Sequence, residues 1–525
     1  MVGDPVRLGA THRQVASSRY LQPGGCWDVP TLDRLAADHP VASGTAVADS
    51  SSRLDANALS AAVASLAGGL RAAGVARGDA VAWQLPNCVE ALLLFRACWR
   101  LGAVAVPVHH QMGPSEADRL VGVVDPAVVL AGPGLPLHDR PGVVTGRRGT
   151  DGWDTLGRSD PVLNSPAKGS DLAAALFTSG STGEPKAVLH THRALSYKAT
   201  VMVAAHGLDW SDIVLMPAPL SHISGLLSGV LIPAAVGMRT ILMERWDPDR
   251  AIQLVEDEGV TFMIGPPAFF SAMAGASSFS SRAVSTLRLI SVGSMTTSAD
   301  FVESTASAFS ATVKRTYGST EAPTVTTSTW SDPPDRAGHT DGRTVSAAEL
   351  RVVDPESGRA VPVGERGELL LRGPELFAGY ADPDQTRASM HRGWFRTGDL
   401  ATLDGEGWLT IVGRIKELII RGGENIVPAE VERVLESHPS IDQAVVVGYP
   451  DEHLGERVAA CVIATGPFDL DACRAWFVDQ GIARFKTPEL VLPLDAFPLL
   501  SLGKPDRSAL RAAVSELRVQ GDEVP

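Results

Sequence analysis

A segment rich in hydroxyl groups and glycines, ending in a lysine, is the part of the sequence best suited to bind phosphate. It follows the apolar run 172–177, which is typical of a buried strand. Glycine lets backbone N–H groups approach an anion, hydroxyl groups add further donors, and the lysine adds a positive charge. The spacing differs from that of a Walker loop, and a flexible surface loop is the alternative. We expect a triphosphate to be held by Thr178, Ser179, Gly180, Ser181, Thr182, Gly183 and Lys186.

Three shorter segments further along the chain carry groups that suit the rest of a nucleotide. In residues 317–321, an aromatic ring can stack on a purine, a hydroxyl group can bond a phosphate oxygen, and a carboxylate can hold Mg²⁺. Asp399 can accept hydrogen bonds from two neighbouring ribose hydroxyls. Lys504 follows a glycine near the end of the chain, where a lone lysine is usually solvated. Taken alone, the first segment is better explained by a plain turn, and a β-turn capped by the aspartate is a plausible alternative for the second.

The combination of these segments resembles a known superfamily. The sequence TSGSTGEPK of residues 178–186 is similar to the phosphate loop of the acyl-adenylate-forming (AMP-binding) superfamily. That superfamily includes acyl-CoA synthetases, aryl-CoA ligases, luciferases and the adenylation domains of peptide synthetases. Ala187 stands where the family usually has glycine. The matches follow the family order from about residue 50 to residue 507, so the resemblance covers most of the chain.

The resemblance implies a role for each nucleotide-binding segment. In YGSTE, Tyr317 stacks on adenine, Thr320 contacts phosphate and Glu321 binds Mg²⁺, with Gly318 and Ser319 completing the segment. Asp399 and Arg414 match the family's two ribose contacts. Lys504 matches the catalytic lysine that bridges the attacking carboxylate and the α-phosphate. Leu500 and Leu502 depart from the small polar residues that often precede this lysine. The resemblance also makes Thr178 a catalytic residue beside Glu321, His222 and Lys504.

The same resemblance places the hinge and the coenzyme A loop in the last part of the chain. Lys416 matches the hinge between two domains, where many relatives carry aspartate and others lysine. The segment 421–426, RGGENI, matches a loop that lines the pantetheine tunnel in CoA-using relatives. A plain hairpin turn is the alternative for this segment. The CoA-facing residues implied are Gly422, Gly423 and Glu424.

The acyl pocket is expected around residues 216–227, which look like the family stretch that precedes the pocket helix. His222 would lie near the carboxylate and the entrance for CoA, although a structural histidine is the alternative. The lining is aliphatic, with no charge to bind the amine of an amino acid, so an apolar carboxylate is favoured. This part most resembles short- and medium-chain fatty acyl-CoA and alicyclic acyl-CoA synthetases. The candidate pocket residues are His222, Ile223, Leu226, Leu227, Pro267, Gly293, Ser294 and Met295.

Composition excludes several other classes of protein. The net charge of −14 argues against a nucleic-acid surface. The five cysteines are scattered, which argues against a zinc site or a disulfide framework and fits a reducing cytoplasm. The first residues lack the apolar core of a signal peptide. The longest weakly polar stretch, 225–238, is shorter than the roughly 18 residues of a membrane span, so a buried helix is predicted.

Alternation of strand and helix patterns predicts an α/β fold. Strands are predicted at 213–216, 240–243, 261–264, 287–292 and 313–317, among others, and the helix 89–101 stands between two of the earlier strands. Closely spaced strands between 349 and 412 predict a small β-barrel-like subdomain. We therefore expect a large N-terminal domain, residues 1–414, with two doubly wound α/β subdomains and this β subdomain. A smaller mobile α+β domain, residues 415–525, would carry the catalytic lysine and the CoA-facing loop.

The resemblance implies an acid–thiol ligase that forms acyl-AMP from ATP and a carboxylic acid and then transfers the acyl group to coenzyme A. ATP, Mg²⁺ and coenzyme A are the expected cofactors and co-substrates, and a small apolar carboxylate is the expected substrate. Two alternatives stay open. The first is an adenylating enzyme that passes the activated group to a carrier protein, an amine or another acceptor, or that activates a non-carboxylate anion. The second is a non-catalytic nucleotide-binding protein. The sequence gives neither the acid, nor the oligomeric state (a homodimer stays open), nor regulation by lysine acylation.

Overall fold

The structure, a computed structural model, describes residues 20–39, 44–139, 142–179, 185–293, 297–422, 424–451, 454–500 and 504–521. Seven of the predicted site residues lie outside the described residues. They are Gly180, Ser181, Thr182, Gly183, Ser294, Met295 and Gly423.

The strands are numbered in chain order. They are β1 (Thr45–Ala48), β2 (Arg53–Asp55), β3 (Ala80–Gln84), β4 (Val104–Val108), β5 (Val128–Ala131), β6 (Val144–Thr145), β7 (Leu172–Ser179), β8 (Pro185–Thr191), β9 (Ile213–Met216), β10 (Arg239–Leu242), β11 (Phe262–Gly265), β12 (Leu289–Val292), β13 (Thr312–Tyr317), β14 (Thr326–Thr327), β15 (Arg343–Thr344), β16 (Glu349–Val353), β17 (Gly367–Arg372), β18 (Gly379–Tyr380), β19 (Met390–His391), β20 (Trp394–Leu403), β21 (Leu409–Arg414), β22 (Ile419–Arg421), β23 (Glu424–Ile426), β24 (Ile441–Asp451), β25 (Gly455–Ala464) and β26 (Leu490–Pro493).

The α-helices are numbered in the same way. They are α1 (Leu32–Asp38), α2 (Ala56–Ala72), α3 (Val89–Leu101), α4 (Pro114–Val124), α5 (Asp151–Leu156), α6 (His192–His206), α7 (Ile223–Leu226), α8 (Ile232–Val236), α9 (Pro248–Glu258), α10 (Pro267–Ala274), α11 (Ala299–Phe309), α12 (Pro334–His339), α13 (Pro383–Ser389), α14 (Pro428–Glu436), α15 (Leu470–Asp479) and α16 (Arg507–Gly521). A π-helical turn, Leu227–Leu231, joins α7 to α8.

The chain divides into two compact units. The first contains Met1–Leu350 and Leu371–Phe395, and the second contains Arg351–Leu370 and Arg396–Pro525. Asp399 and Arg414 therefore belong to the same unit as Lys504. The domain boundary after residue 414 and the mobility of the C-terminal part stay predictions.

The first unit is built on two large sheets with parallel centres. One has nine strands in the order β15-β14-β13-β12-β11-β9-β10-β1-β2, and the other has seven in the order β18-β8-β7-β4-β3-β5-β6. The pairs from β13 through β1 and from β7 through β6 are parallel, whereas the remaining pairs are antiparallel. Strands β3 and β4 are buried throughout, as expected for parallel strands covered on both faces. Helix α3 is almost wholly buried as well, in keeping with its mainly apolar sequence.

The second unit contains β21 and parts of β16, β17 and β20, which pair in the order β16-β17-β20 with β21 on β20. It also contains a sheet in the order β23-β22-β25-β24, with β26 parallel to β25. Helices α14 and α15 pack their apolar side chains against this second sheet in one core. Helix α16 contributes Leu510 and Val514 to a core on the same sheet.

The predicted α/β fold class is confirmed. The strand Ile213–Met216 and the helix Val89–Leu101 have the predicted bounds, and the strands predicted at 240–243, 261–264, 287–292 and 313–317 differ by one or two residues at their ends. The Gly, Asp, Ser and Pro residues of 146–171 predict a surface connection, which is wrong in part, because the segment contains α5, whose Trp153 and Leu156 are buried. Among the described residues, no helix has the length and apolarity needed to cross a membrane.

Candidate active site

The predicted phosphate loop connects the two strands of a hairpin. Strands β7 and β8 are antiparallel, with Thr178 directly opposite Lys186 and Ser179 opposite Pro185. Directly opposed residues in an antiparallel pair carry their side chains on the same face of the sheet. The side chains of Thr178 and Lys186 therefore lie on the same face of the hairpin.

A tyrosine that the sequence analysis did not identify lies between Lys186 and Glu321. The Lys186 ammonium is 5.0 Å from the centroid of the Tyr380 ring. The Tyr380 hydroxyl donates a hydrogen bond of 2.7 Å to Glu321 Oε1. Burial and the Glu321 carboxylate raise the pKa of the Tyr380 phenol, so the hydroxyl stays protonated and donates. This contact brings the cation of the hairpin and the predicted metal ligand to one place.

Tyr380 had no local signal in the sequence. It lies on the short edge strand β18, which pairs with β8 so that Tyr380 is opposite Val188. That pairing joins segments far apart in the chain and depends on the completed sheet.

The YGSTE segment follows strand β13 and is held by backbone contacts. Tyr317 is the last residue of β13 and pairs with Thr326 on β14. Gly318 is required, because a Cβ there would lie 2.3 Å from the backbone nitrogen of Thr324. The backbone N–H of Ala322 donates to both the carbonyl and the hydroxyl oxygen of Ser319.

Two residues from other elements fix the end of this segment. His190 Nε2 donates a hydrogen bond of 2.8 Å to the carbonyl of Thr320. The backbone N–H of Phe377 donates to the carbonyl of Glu321 at 2.8 Å. Burial lowers the pKa of His190 to about 4, so its ring is neutral at pH 7. His190 lies on β8, four residues after Lys186, and the sequence analysis missed this strand because it follows the glycine-rich loop.

His222 sits at a sharp turn before helix α7. Its backbone N–H donates to the carbonyl of Pro219 at 3.0 Å, and its own carbonyl accepts from Leu226. Gly225 is required there, because a Cβ would lie 2.0 Å from the carbonyl oxygen of Pro219. The turn thus fixes the start of α7 and the place of His222.

Three histidine rings lie next to one another around His222. The ring centroids of His109 and His222 are 5.2 Å apart, and those of His109 and His110 are 4.7 Å apart in a stacked arrangement. Burial and the neighbouring His110 lower the pKa of His109 to about 4, and burial lowers the pKa of His110. A small cavity adjoins these rings. It is lined by Pro107, His109, Met112, Leu120, Phe177, Ser221 and His222.

The other predicted pocket residues that the structure describes are not among the residues that line this cavity. Leu226 and Leu227 are buried in the main core of the first unit, and Ile223 packs against it. Pro267 begins α10. Gly293 follows β12, and a Cβ there would lie 2.7 Å from Thr316 Oγ1. Of the predicted pocket residues that the structure describes, His222 lines the cavity, and the roles of the others stay predictions.

In the second unit, the two predicted ribose ligands form an ion pair. Strands β20 and β21 place Asp399 directly opposite Arg414. Arg414 Nε lies 2.8 Å from Asp399 Oδ1, and the side chains are 46% and 4% exposed, respectively. The carboxylate is therefore buried beneath a guanidinium that is open to solvent.

Lys504 belongs to the same group of charges. A backbone bridge between Leu499 and Pro505 and a hydrogen bond from the N–H of Leu500 to the carbonyl of Lys504 form a closed turn. Burial lowers the pKa of Lys504, and the positive charge of Arg414 adds to this effect. Asp399 and Glu417 act on Lys504 in the opposite direction. The predicted catalytic lysine and ribose ligands are thus close enough to interact electrostatically within one unit.

The predicted hinge and CoA-facing residues lie in turns of the second unit. Lys416 is exposed in a 3₁₀ turn, Ile415–Glu417, directly after β21. Gly422 has a φ of +58°, and its N–H donates to the carbonyl of Leu454 at 2.7 Å. Glu424 is exposed and pairs with Arg421, so the strands flanking Gly422 form a hairpin. Hinge motion and CoA contact stay predictions.

Comparisons with known proteins identify the family of the chain. Residues 32–381 match the sequence profile of the AMP-binding enzyme family, and residues 430–504 match the profile of the AMP-binding enzyme C-terminal domain. The medium-chain fatty-acid–CoA ligase of Escherichia coli (strain K12) is 33% identical over 485 residues, covering 87% of this chain and 85% of the relative. The feruloyl-CoA synthase of Amycolatopsis sp is 34% identical over 467 residues, covering 88% and 94%.

A crystal structure of ATP-bound MatB from Rhodopseudomonas palustris superimposes with a TM-score of 0.84 at 26% identity, covering 93% of this chain and all of that one. The chain belongs to the AMP-binding enzyme family. Within that family it is an AMP-forming acid–thiol ligase, and the class predicted from the sequence is confirmed.

Proposed function

We propose that this chain activates an apolar carboxylic acid with Mg-ATP and transfers the acyl group to the thiol of coenzyme A. The two relatives named above are a medium-chain fatty-acid–CoA ligase and a feruloyl-CoA synthase. The single observation that carries the assignment of residues is the contact of Tyr380 with both Lys186 and Glu321. It unites a phosphate-binding cation and a carboxylate in the first unit, as activation of a triphosphate requires.

In the first half-reaction, a carboxylate oxygen of the acid attacks the α-phosphorus of ATP. A bond forms between that oxygen and phosphorus, the bond to the bridging oxygen of pyrophosphate breaks, and acyl-AMP remains. The hairpin from Thr178 to Lys186 binds the β- and γ-phosphates. Lys504 contacts the attacking carboxylate and the α-phosphate, and so stabilises the negative charge that grows on the phosphoryl oxygens.

In this proposal, three residues bind the nucleoside. Tyr317 stacks on adenine, and Asp399 accepts hydrogen bonds from the ribose hydroxyls. Arg414, already paired with Asp399, adds the second ribose contact. Because Asp399 is buried under Arg414, its carboxylate oxygens are fixed before the ribose arrives, which lowers the ordering cost of binding.

Glu321 is the residue that fits a Mg²⁺ ion. Mg²⁺ is usually bound by one or two carboxylates together with substrate phosphates and water. When bound, the ion neutralises charge on the phosphates. Tyr380 orients the Glu321 carboxylate through its hydroxyl.

In the second half-reaction, the sulfur of CoA attacks the acyl carbon of acyl-AMP. A carbon–sulfur bond forms, the bond to the phosphate oxygen of AMP breaks, and the thiol proton passes to solvent. Rotation about Lys416 would exchange Lys504 for the hairpin that carries Gly422 and Glu424. His222 would lie beside the carboxylate where the thiol enters.

A panel of carboxylic acids scored by ATP–pyrophosphate exchange, with and without CoA, tests this function. We expect exchange with apolar aliphatic or aryl acids, weak exchange with amino acids, and AMP release that depends on CoA. Exchange without CoA-dependent AMP release would assign the acyl group to a carrier protein or another acceptor and contradict the CoA step. Absence of exchange across the whole panel would contradict adenylation itself.

A further inference from the structure

His109 has a defined proton position in the turn after β4. The backbone N–H of Gln111 donates to His109 Nδ1 at 3.1 Å. Because Nδ1 accepts this bond, the proton of the neutral ring is on Nε2. The lowered pKa of about 4 agrees with a ring that is neutral at pH 7. His109 therefore offers one N–H donor, at Nε2.

The backbone around this ring is also fixed. The buried side chain of Gln84 donates to the carbonyls of His109 and Met112, both at 3.2 Å. The other end of the same amide accepts from the N–H of Leu137 at 3.0 Å. The backbone N–H of Met112 closes the turn onto His109. Such a fully bonded support is typical of a residue whose direction matters for binding.

The Nε2–H donor of His109 is not used within the described part of the chain. His109 is 2% exposed, and within the described part of the chain its Nε2 is buried with no hydrogen-bond partner. A buried donor without an acceptor is costly, and most such groups in native proteins are paired with protein, water or ligand. Since the ring lines the cavity beside His222 and Phe177, the missing acceptor can enter through that cavity.

We propose that His109 is a specificity-determining residue, which donates its Nε2 hydrogen to a carbonyl or carboxylate oxygen of a substrate that enters this cavity. This inference rests on the proposed function. Two substrates carry such an oxygen: the pantetheine arm of CoA, through its amide carbonyls, and the acid, through its carboxylate or an oxygen of its chain. The cavity is small and its other walls include the apolar residues Pro107, Met112, Leu120 and Phe177, so it has room for the acceptor oxygen rather than for a whole chain.

Kinetic constants of His109 variants distinguish the two substrates. His109→Phe keeps a ring of similar shape and removes the donor, whereas His109→Gln returns an amide donor near the position of Nε2. We expect His109→Phe to raise one KM about tenfold, the effect of losing one neutral hydrogen bond, and His109→Gln to restore most of it. A change in the KM for CoA with unchanged ATP–pyrophosphate exchange assigns the oxygen to CoA. A change in the KM for the acid during exchange assigns it to the acid.

The neighbouring His110 is the matched control, because it stacks on His109 without facing this cavity. His110→Phe is expected to leave both KM values unchanged. Equal losses in His109→Phe and His110→Phe would mark damage to the ring stack and overturn the proposal. Unchanged KM values in His109→Phe would overturn it as well, whether or not the melting temperature changes. Failure of the proposed function is separate, because the wild-type protein would then show no exchange.

If His109→Phe does not fold, a comparison of His109→Asn with His109→Gln tests the proposed donor instead. Their amides occupy the positions of Nδ1 and Nε2, respectively, so only the glutamine variant can replace the proposed donor. A lower KM for His109→Gln than for His109→Asn supports the proposal, and equal values overturn it. Direct titration of the folded variants with CoA by calorimetry gives a readout that does not depend on turnover.

Discussion

The two units hold their parts of the proposed site by different means. In the first unit, buried neutral groups fix the polypeptide: His190 binds the carbonyl of Thr320, and the Tyr380 hydroxyl binds Glu321. In the second unit, charged groups act on one another: Arg414 pairs with Asp399, and both act on Lys504. The first arrangement sets positions and is insensitive to pH near neutrality, whereas the second depends on the protonation state of a lysine.

The largest effect on activity is expected when the ammonium group of Lys504, in the second unit, is removed. Lys504→Ala should slow acyl-AMP formation about 1,000-fold, the range found when one stabilising donor of a transition state is lost. The measurement is the single-turnover rate of acyl-AMP formation from ATP and the acid. Normal acyl-AMP formation in this variant would show that the role given to Lys504 is wrong. Arg474→Ala, which removes an exposed positive charge of the same unit, separates loss of the specific ammonium from loss of net charge.

A smaller effect is expected in the first unit when Tyr380 loses its hydroxyl. Tyr380→Phe keeps the ring that Lys186 contacts and removes the hydrogen bond to Glu321, so ATP–pyrophosphate exchange should fall about tenfold. The loss should be smaller at high Mg²⁺ concentration if Glu321 holds the ion. Tyr380→Leu removes both contacts and should lose more. Equal activity of wild type and Tyr380→Phe would mean that the orientation of Glu321 is set by other contacts.

Loss of the His190 contact should have a still smaller effect on activity. His190→Leu removes the donor to Thr320 and leaves a buried carbonyl unpaired, which costs about 1–3 kcal/mol in the free energy of unfolding. We expect a few-fold higher KM for ATP, and denaturant unfolding measures the stability loss. His190→Gln, which can donate from a similar position, should recover part of both. A variant with lower stability but an unchanged KM for ATP would limit His190 to a role in folding.

The dependence of activity on pH should reflect the lowered pKa of Lys504 in the second unit. The pKa of Lys504 is lowered from its ordinary value of 10.5, so its ammonium is lost at a lower pH than that of a solvated lysine. The kcat/KM for ATP in exchange should therefore fall on the alkaline side below pH 10.5. Lys504→Arg should move this fall to higher pH, because a guanidinium stays charged. An alkaline limb unchanged by the substitution would assign the titration to another group.

The same shift has a consequence for stability with a definite sign. Because the folded state disfavours the charged form of Lys504, this residue destabilises the fold while it is protonated. That destabilisation is relieved as the pH rises through the lowered pKa toward the ordinary value.

The sequence predicted the parts of the site that local motifs carry. The strand before the hydroxyl-rich loop was predicted from its apolar pattern, and Asp399 and Arg414 were assigned from their resemblance to family motifs. The ion pair between Asp399 and Arg414 is a cross-strand contact that their motifs alone did not predict.

The residues that sequence reasoning missed make contacts between distant segments. Tyr380 reaches Glu321 only because β18 pairs with β8, and His190 reaches Thr320 because β8 turns back along β7. His109 was missed because its value depends on the bond from Gln111 and on the cavity beside His222. In each case the contact that suggests a role for the side chain forms only in the tertiary structure, and the spacing of residues in the sequence does not predict it.

The most direct test of the account is the second half-reaction of the Lys504→Ala variant, started from synthetic acyl-AMP and CoA. Lys504 is assigned to adenylation alone, so the variant should form the thioester at the wild-type rate although it forms almost no acyl-AMP by itself. A thioester rate that falls as far as the rate of acyl-AMP formation would contradict the account, because Lys504 would then serve both steps or the integrity of the fold.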